Sequence, residues 1–98
     1  MKTDRLYFVV RMDVGIGRAM AQALHAMDRW CARFGPQDGT VIVYQVPDEK
    51  KLLELLPEGG RTALWREPDL GYEATAFATD VGRMNLPLLG QNRGRAAA

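Results

Sequence analysis

The amino-acid sequence predicts a small α/β domain: a mixed four-stranded sheet in the order β-α-β-α-β-β, with helices packed against it. Three observations carry this. Two apolar, β-rich runs, 6–11 and 40–46, flank a longer segment whose apolar residues recur at helical steps. An Asp-capped, leucine-rich segment follows the second run and marks another helix. Two further strand-like runs are then separated by only about six residues, a gap too short for a crossover, which predicts an antiparallel pair.

Each element has a local reason. Leu6 to Arg11 is a continuous apolar run, the pattern of a strand covered on both faces. Asp13 to Gly17 breaks it, and a helix is predicted from Gly17 to Phe34. Met20, Leu24, Met27, Cys31 and Phe34 form the apolar stripe expected to face the core, with Gly35-Pro36 as the stop. Thr40 to Val46 is a second buried-type strand, and Asp48 caps a helix over Glu49 to Leu56 that Pro57 and Gly59-Gly60 end. Thr62 to Arg66 is the third strand. In the fourth, Glu73 to Thr79, Ala74, Ala76 and Ala78 alternate with Thr75, Phe77 and Thr79. Two crossover helices imply parallel pairing among the first three strands. The domain is expected to span residues 1–89, with a mobile tail over 90–98.

Composition excludes several function classes. Ninety-eight residues suffice for one core, and a net charge of +1 gives no overall basic field for nucleic acid, so any RNA contact must come from a local patch. The one cysteine, Cys31, sits among apolar positions, and no Cys/His spacing suits zinc; no metal or other cofactor is expected. The chain has no serine, so a serine triad is excluded, and Cys31 is badly placed for a cysteine one. The Leu6–Val10 run is too short for a membrane span, and a cytoplasmic location is the default expectation. The glycines of Asp13–Gly17 lack the third glycine and the downstream acid of a dinucleotide site. Trp30 and Trp65 suit core positions, a homodimer surface being the alternative.

Two places hold residues suited to chemistry. Arg18, Gln22, His25 and Arg29 fall on one face of the long helix, roughly opposite the apolar stripe. By periodicity this is a solvated polar face. Arg18, however, lies in the first turn after a glycine-rich break that follows a strand, where ligands of open α/β sheets bind and helix N–H groups attract phosphate. Arg66-Glu67-Pro68-Asp69-Leu70 follows the third strand, hence the same end of the sheet if the strands run parallel. Its carboxylates can orient a water or accept a proton beside an arginine.

These residues also carry a resemblance. Val9-Val10-Arg11-Met12-Asp13, followed by Gly17-Arg18-Ala19-Met20-Ala21-Gln22-Ala23-Leu24-His25-Ala26, resembles the signature of the archaeal/eukaryotic-type peptidyl-tRNA hydrolases, a strand ending Val-Arg-x-Asp and then Gly-Lys-x-Ala-Ala-Gln-x-x-His-Ala. Arg66 to Leu70 and Thr75-Ala76 are similar to a short bacterial and phage branch. The resemblance covers roughly Leu6 to Leu89. It implies a mixed four-stranded sheet with flanking helices, no cofactor, and hydrolysis of the ester joining a peptide to tRNA. On this reading the catalytic set is Arg18, His25, Glu67 or Asp69, and Thr75, with Arg11, Asp13, Gln22 and Arg66 at the substrate. The partner is tRNA or peptidyl-tRNA, without a membrane.

The chain departs from that pattern in three places. Arg18 stands where the family has lysine, and arginine cannot serve as a general base, although it can bind phosphate or an oxyanion. The turn from Asp13 to Gly17 is about two residues shorter than in the best-known members. Pro68 to Gly71 replaces a glycine-and-threonine segment. A noncatalytic module that binds RNA or a protein partner is therefore the alternative expectation, with Arg11, Arg18, Arg29, Arg66, Arg83, Arg93 and Arg95 as its basic rim.

Overall fold

The structure, a computed structural model, describes residues 5–82 and 85–91. Seven elements follow one another: β1 (Arg5–Arg11), α1 (Ile16–Phe34), β2 (Thr40–Val46), α2 (Glu49–Glu54), β3 (Thr62–Glu67), a 3-10 turn (Pro68–Leu70) and β4 (Glu73–Thr79). The boundaries follow the local chemistry. Asp48 Oδ1 accepts the Lys51 N–H and starts α2. Gly35, at φ 94°, ends α1 by donating its N–H to the Cys31 carbonyl.

The four strands form one mixed sheet in the order β2-β1-β4-β3. β1 and β2 pair in parallel, and β4 runs antiparallel to both β1 and β3. The expected mixed sheet is present, and β3 runs in the same direction as β1. The expected parallel pairing of β3 is corrected: β4 is inserted between β1 and β3. Packing explains the order. Six of the seven residues of β4 are buried, three of them alanines, whereas β3 is only partly covered. A strand of small side chains lets layers approach from both faces, so it belongs in the interior of the sheet.

The two faces carry separate cores. Leu6, Phe8, Val10, Ala76 and Ala78 meet Ala19, Ala26 and Trp30 of α1. On the other face Val9, Phe77 and Ala74 meet Leu52 of α2 and Val46. The phase of α1 differs from expectation. Met20 is 55% and Leu24 72% exposed, while the buried positions are Ala19, Gln22, Ala26 and Trp30. Met27, Cys31 and Phe34, three of the five residues of the expected stripe, pack at the margin of that core. Close approach of helix to sheet selects alanine over longer apolar side chains, and Trp30 supplies the bulk at one end.

The regular alternation expected of β4 is also interrupted. Trp65 pairs with Ala76 and Arg66 with Ala74, so Thr75 is an extra residue in the ladder, a β-bulge. Ala74 packs on the α2 side, Ala76 on the α1 side, and Thr75 reaches α1 as well. Gly90 and Gln91, expected to begin a mobile tail, are tied to β2: Gln45 Oε1 accepts the Gly90 N–H, and Gln45 Nε2 donates to the Gln91 carbonyl. Tyr44 bridges to Leu88, which covers the outer edge of β2. The rest of the tail and Arg83, Arg93 and Arg95 lie outside the described residues.

The phase of α1 is testable. Leu24→Ala is expected to change unfolding free energy by less than about 0.5 kcal/mol, whereas Ala26→Leu overpacks the core and is expected to cost about 1–3 kcal/mol. Urea denaturation of both variants measures the difference; the reverse order would reject the observed orientation.

Candidate active site

β1 ends at Arg11, and the chain must turn before α1 can pack back over the sheet. Met12 donates its N–H to the Val46 carbonyl, and Gly15 donates to the Met12 carbonyl in a tight turn. Gly15 has φ 89°, a conformation that side-chain-bearing residues rarely adopt. No side chain caps the first turn of α1, so its N–H groups and Arg18 point to the same end of the sheet. At that end β3 finishes and the Pro68–Leu70 turn begins. Pro68 occupies the first position of the turn, and Glu67 accepts the Asp69 N–H at 3.3 Å.

Arg18, Gln22, His25, Glu67 and Asp69 converge around one open cleft of about 210 Å³, together with Val14, Ala21 and Leu70. Five of the residues singled out from sequence are thereby brought together. The other four lie elsewhere. Thr75 is fully buried and donates to Gln22 Oε1 at 2.8 Å, so it stands behind the cleft and positions Gln22. Arg66 is exposed and donates to the Tyr72 carbonyl.

Arg11 and Asp13 form a clamp. The Arg11 guanidinium donates to both Asp13 oxygens, at 2.9 and 2.7 Å, to Glu73 at 2.7 Å and to the Ala74 carbonyl. The hydrogen bond from Arg11 holds the Asp13 carboxyl below its usual range, against partial desolvation. The same bond raises Arg11 above its ordinary value, opposed by desolvation and aided by Glu73. With every guanidinium nitrogen engaged, Arg11 ties the end of β1 to the start of β4 and is not open to substrate.

Glu67 is the carboxylate best placed for chemistry. Desolvation works to raise its pKa. The Asp69 N–H, the Gln22 amide, His25 and the Trp65 indole act the other way and hold it below the ordinary glutamate value. Glu67 is therefore ionised at neutral pH. The indole contributes least, and Trp65 Nε1 is buried without a well-formed hydrogen bond. Trp65 has a second role that sequence reading missed. Its ring stacks on His25, with centroids 4.6 Å apart and planes 21° apart, and the Arg29 guanidinium lies 5.4 Å from its centroid. The two-residue step from Trp65 to Glu67 was the available signal, since such positions share a strand face.

The cleft thus combines an arginine without a carboxylate within ion-pairing reach among the described residues, an ionised carboxylate, an imidazole held by stacking, and a buried amide. It can bind an anion at one wall and orient a water at the other. No group of three or more His, Cys, Asp or Glu side chains suited to a metal ion occurs among the described residues. No described helix is long and apolar enough to cross a membrane. No protein-family model matches the chain, and no curated protein matches it.

The support for the cleft is testable at Thr75. Thr75→Val leaves Gln22 Oε1 facing a methyl group, and is expected to cost about 1–3 kcal/mol in urea denaturation, with Thr75→Ser costing less. A cycle with Gln22→Ala should return a coupling of about 0.5 kcal/mol or more. Full additivity would mean the bond does not hold the helix.

Proposed function

We propose that the chain is a hydrolase of the archaeal/eukaryotic-type peptidyl-tRNA hydrolase kind, acting on the ester between a peptide or aminoacyl group and the 3′ end of tRNA. One observation carries the reading. Arg18, Gln22, His25 and Glu67, which carry the sequence resemblance on two separate segments, face one cleft. The mixed sheet with helices on both faces is consistent with that family's fold.

The chemistry follows from the residues present. A water held between Glu67 and His25 attacks the ester carbonyl carbon, and its proton passes to the Glu67 carboxylate. Arg18 stabilises the oxyanion that develops on the carbonyl oxygen, a role open to a permanently charged guanidinium. The bond from carbonyl carbon to the ribose 3′ oxygen breaks, and the proton moves to that oxygen. The products are a peptide carboxylate, whose acid proton is lost to solvent, and tRNA with its 3′ hydroxyl. Gln22, locked by Thr75, lines the cleft with Glu67, and its amide helps to keep that carboxylate ionised. Asp69 serves through its backbone N–H, which fixes the Glu67 carboxylate.

A noncatalytic RNA-binding module is the second reading, and the depressed Glu67 pKa favours it, because a carboxylate stabilised in its charged form is a weaker proton acceptor. Turnover separates the two. The wild type is expected to release peptide from a model peptidyl-tRNA. Glu67→Ala should lose about 10²-fold or more in kcat, and Arg18→Ala about 10²- to 10³-fold. Asp69→Ala, which keeps the backbone donor, should lose much less. No release by pure wild-type protein rejects the hydrolase.

The pH profile gives an independent check. Glu67 acts ionised and its pKa lies below 4.5, so activity is present above that value and falls only as pH drops through the lowered one. The kcat/KM profile should therefore be level from neutral pH down to the ordinary glutamate range. An acid limb centred near pH 6 would assign the base to another group.

A further inference from the structure

Beyond the catalytic cleft, α1 and β3 enclose a second open cavity of about 380 Å³, lined by Arg29, Ala32, Arg33, Ala63 and Leu64. Its cations form no ion pair among the described residues. Among the described residues the ion pairs join Arg11 to Asp13 and Glu73, and Arg61 to Asp80, leaving Arg29 and Arg33 without a carboxylate. Asp28 is the one acidic residue of α1 and is paired with neither. Arg29 and Arg33 are instead held against aromatic rings, Trp65 at 5.4 Å and Phe34 at 5.3 Å.

The two cavities are joined by the His25–Trp65 stack. His25 lines the catalytic cleft, its ring lies on Trp65, and Arg29 on the same indole lines the second cavity. Arg18, His25, Arg29 and Arg33 thus form one row facing β3. From Arg18 to Arg33 the row is about 22 Å long at about 1.5 Å per residue. A nucleic-acid strand stacked at about 3.4 Å per nucleotide covers that in about six steps, and an extended one in fewer. Cations alternating with an exposed aromatic face are what single-stranded nucleic acid requires: guanidinium groups for phosphates and a ring for a base.

The geometry points to a single-stranded RNA track along α1, in which Arg29 and Arg33 bind phosphodiesters and His25, backed by Trp65, stacks a base next to the cleft. This rests on the reading of an RNA-linked substrate and adds where its unpaired 3′ segment lies. Arg61 takes no part, because Asp80 holds its Nε at 2.9 Å.

The test is fluorescence anisotropy with a labelled single-stranded RNA of about eight nucleotides ending in CCA, titrated between about 50 and 200 mM salt. Wild type should bind with a steep salt dependence. Arg29→Ala/Arg33→Ala should weaken binding about tenfold at low salt and flatten the logarithmic slope by about 0.7 for each arginine removed. Arg29→Lys/Arg33→Lys should restore the slope. A double alanine variant that folds and keeps wild-type affinity and slope overturns the track. So does tighter binding of an acidic peptide of equal length at the β3 edge. RNA binding through Arg29 and Arg33 without peptide release would sink the hydrolase and keep the track. Peptide release with KM unmoved by the double variant would do the opposite.

Discussion

Thr75 is fully buried, so its hydroxyl needs a partner inside the protein, and Gln22 of α1 supplies it. The bond exists because a bulge turns Thr75 toward the helix instead of leaving it in step with Phe77. Much else is set by this contact. It fixes the rotation of α1 on the sheet, which sends Ala19, Ala26 and Trp30 inward and carries Arg18 and His25 to the β3 side. A helix turned by one residue would bury His25 or expose Gln22, and the cleft would lose a wall.

The Arg11 clamp performs a related task at the neighbouring strands. It joins the end of β1 to the start of β4, and Glu49 of α2 accepts the Ala74 N–H at 2.7 Å beside the bulge. The irregular stretch of β4 is thus held by a cation, an anion and an amide drawn from three other elements. This suits a place where the ladder has given up regular pairing to aim one side chain. Arg11 and Asp13 belong to the candidate site by sequence, but their contribution is to the frame around it.

The elements were largely legible in the sequence, because apolar runs, the Asp48 cap and the Gly35-Pro36 stop are local signals. The phase of α1 was not. Met20 and Leu24 outweigh Ala19 and Ala26 on any apolar count, yet contact distance at the sheet favours the smaller side chains, and the buried Gln22 amide has a partner far away in sequence. The insertion of β4 depends on pairing between distant segments, which periodicity does not report. At the site, Arg18, Gln22, His25, Glu67 and Asp69 were readable from spacing and from the end of β3. The place of Thr75 depends on the bulge, and Trp65 looked like ordinary core.

The central pairing of the sheet has a consequence for how the chain reaches this state. Tyr7 of β1 meets Thr79 of β4, about 70 residues later, with β2 and both helices between them. β1, α1 and β2 can associate early, since their contacts are comparatively near in sequence. The other edge of β1 then stays open until the last strand arrives. Closing so long a loop is slow, and an unsatisfied apolar edge invites self-association meanwhile. During synthesis the domain would therefore be committed late, with the half-made sheet as the species most exposed to aggregation.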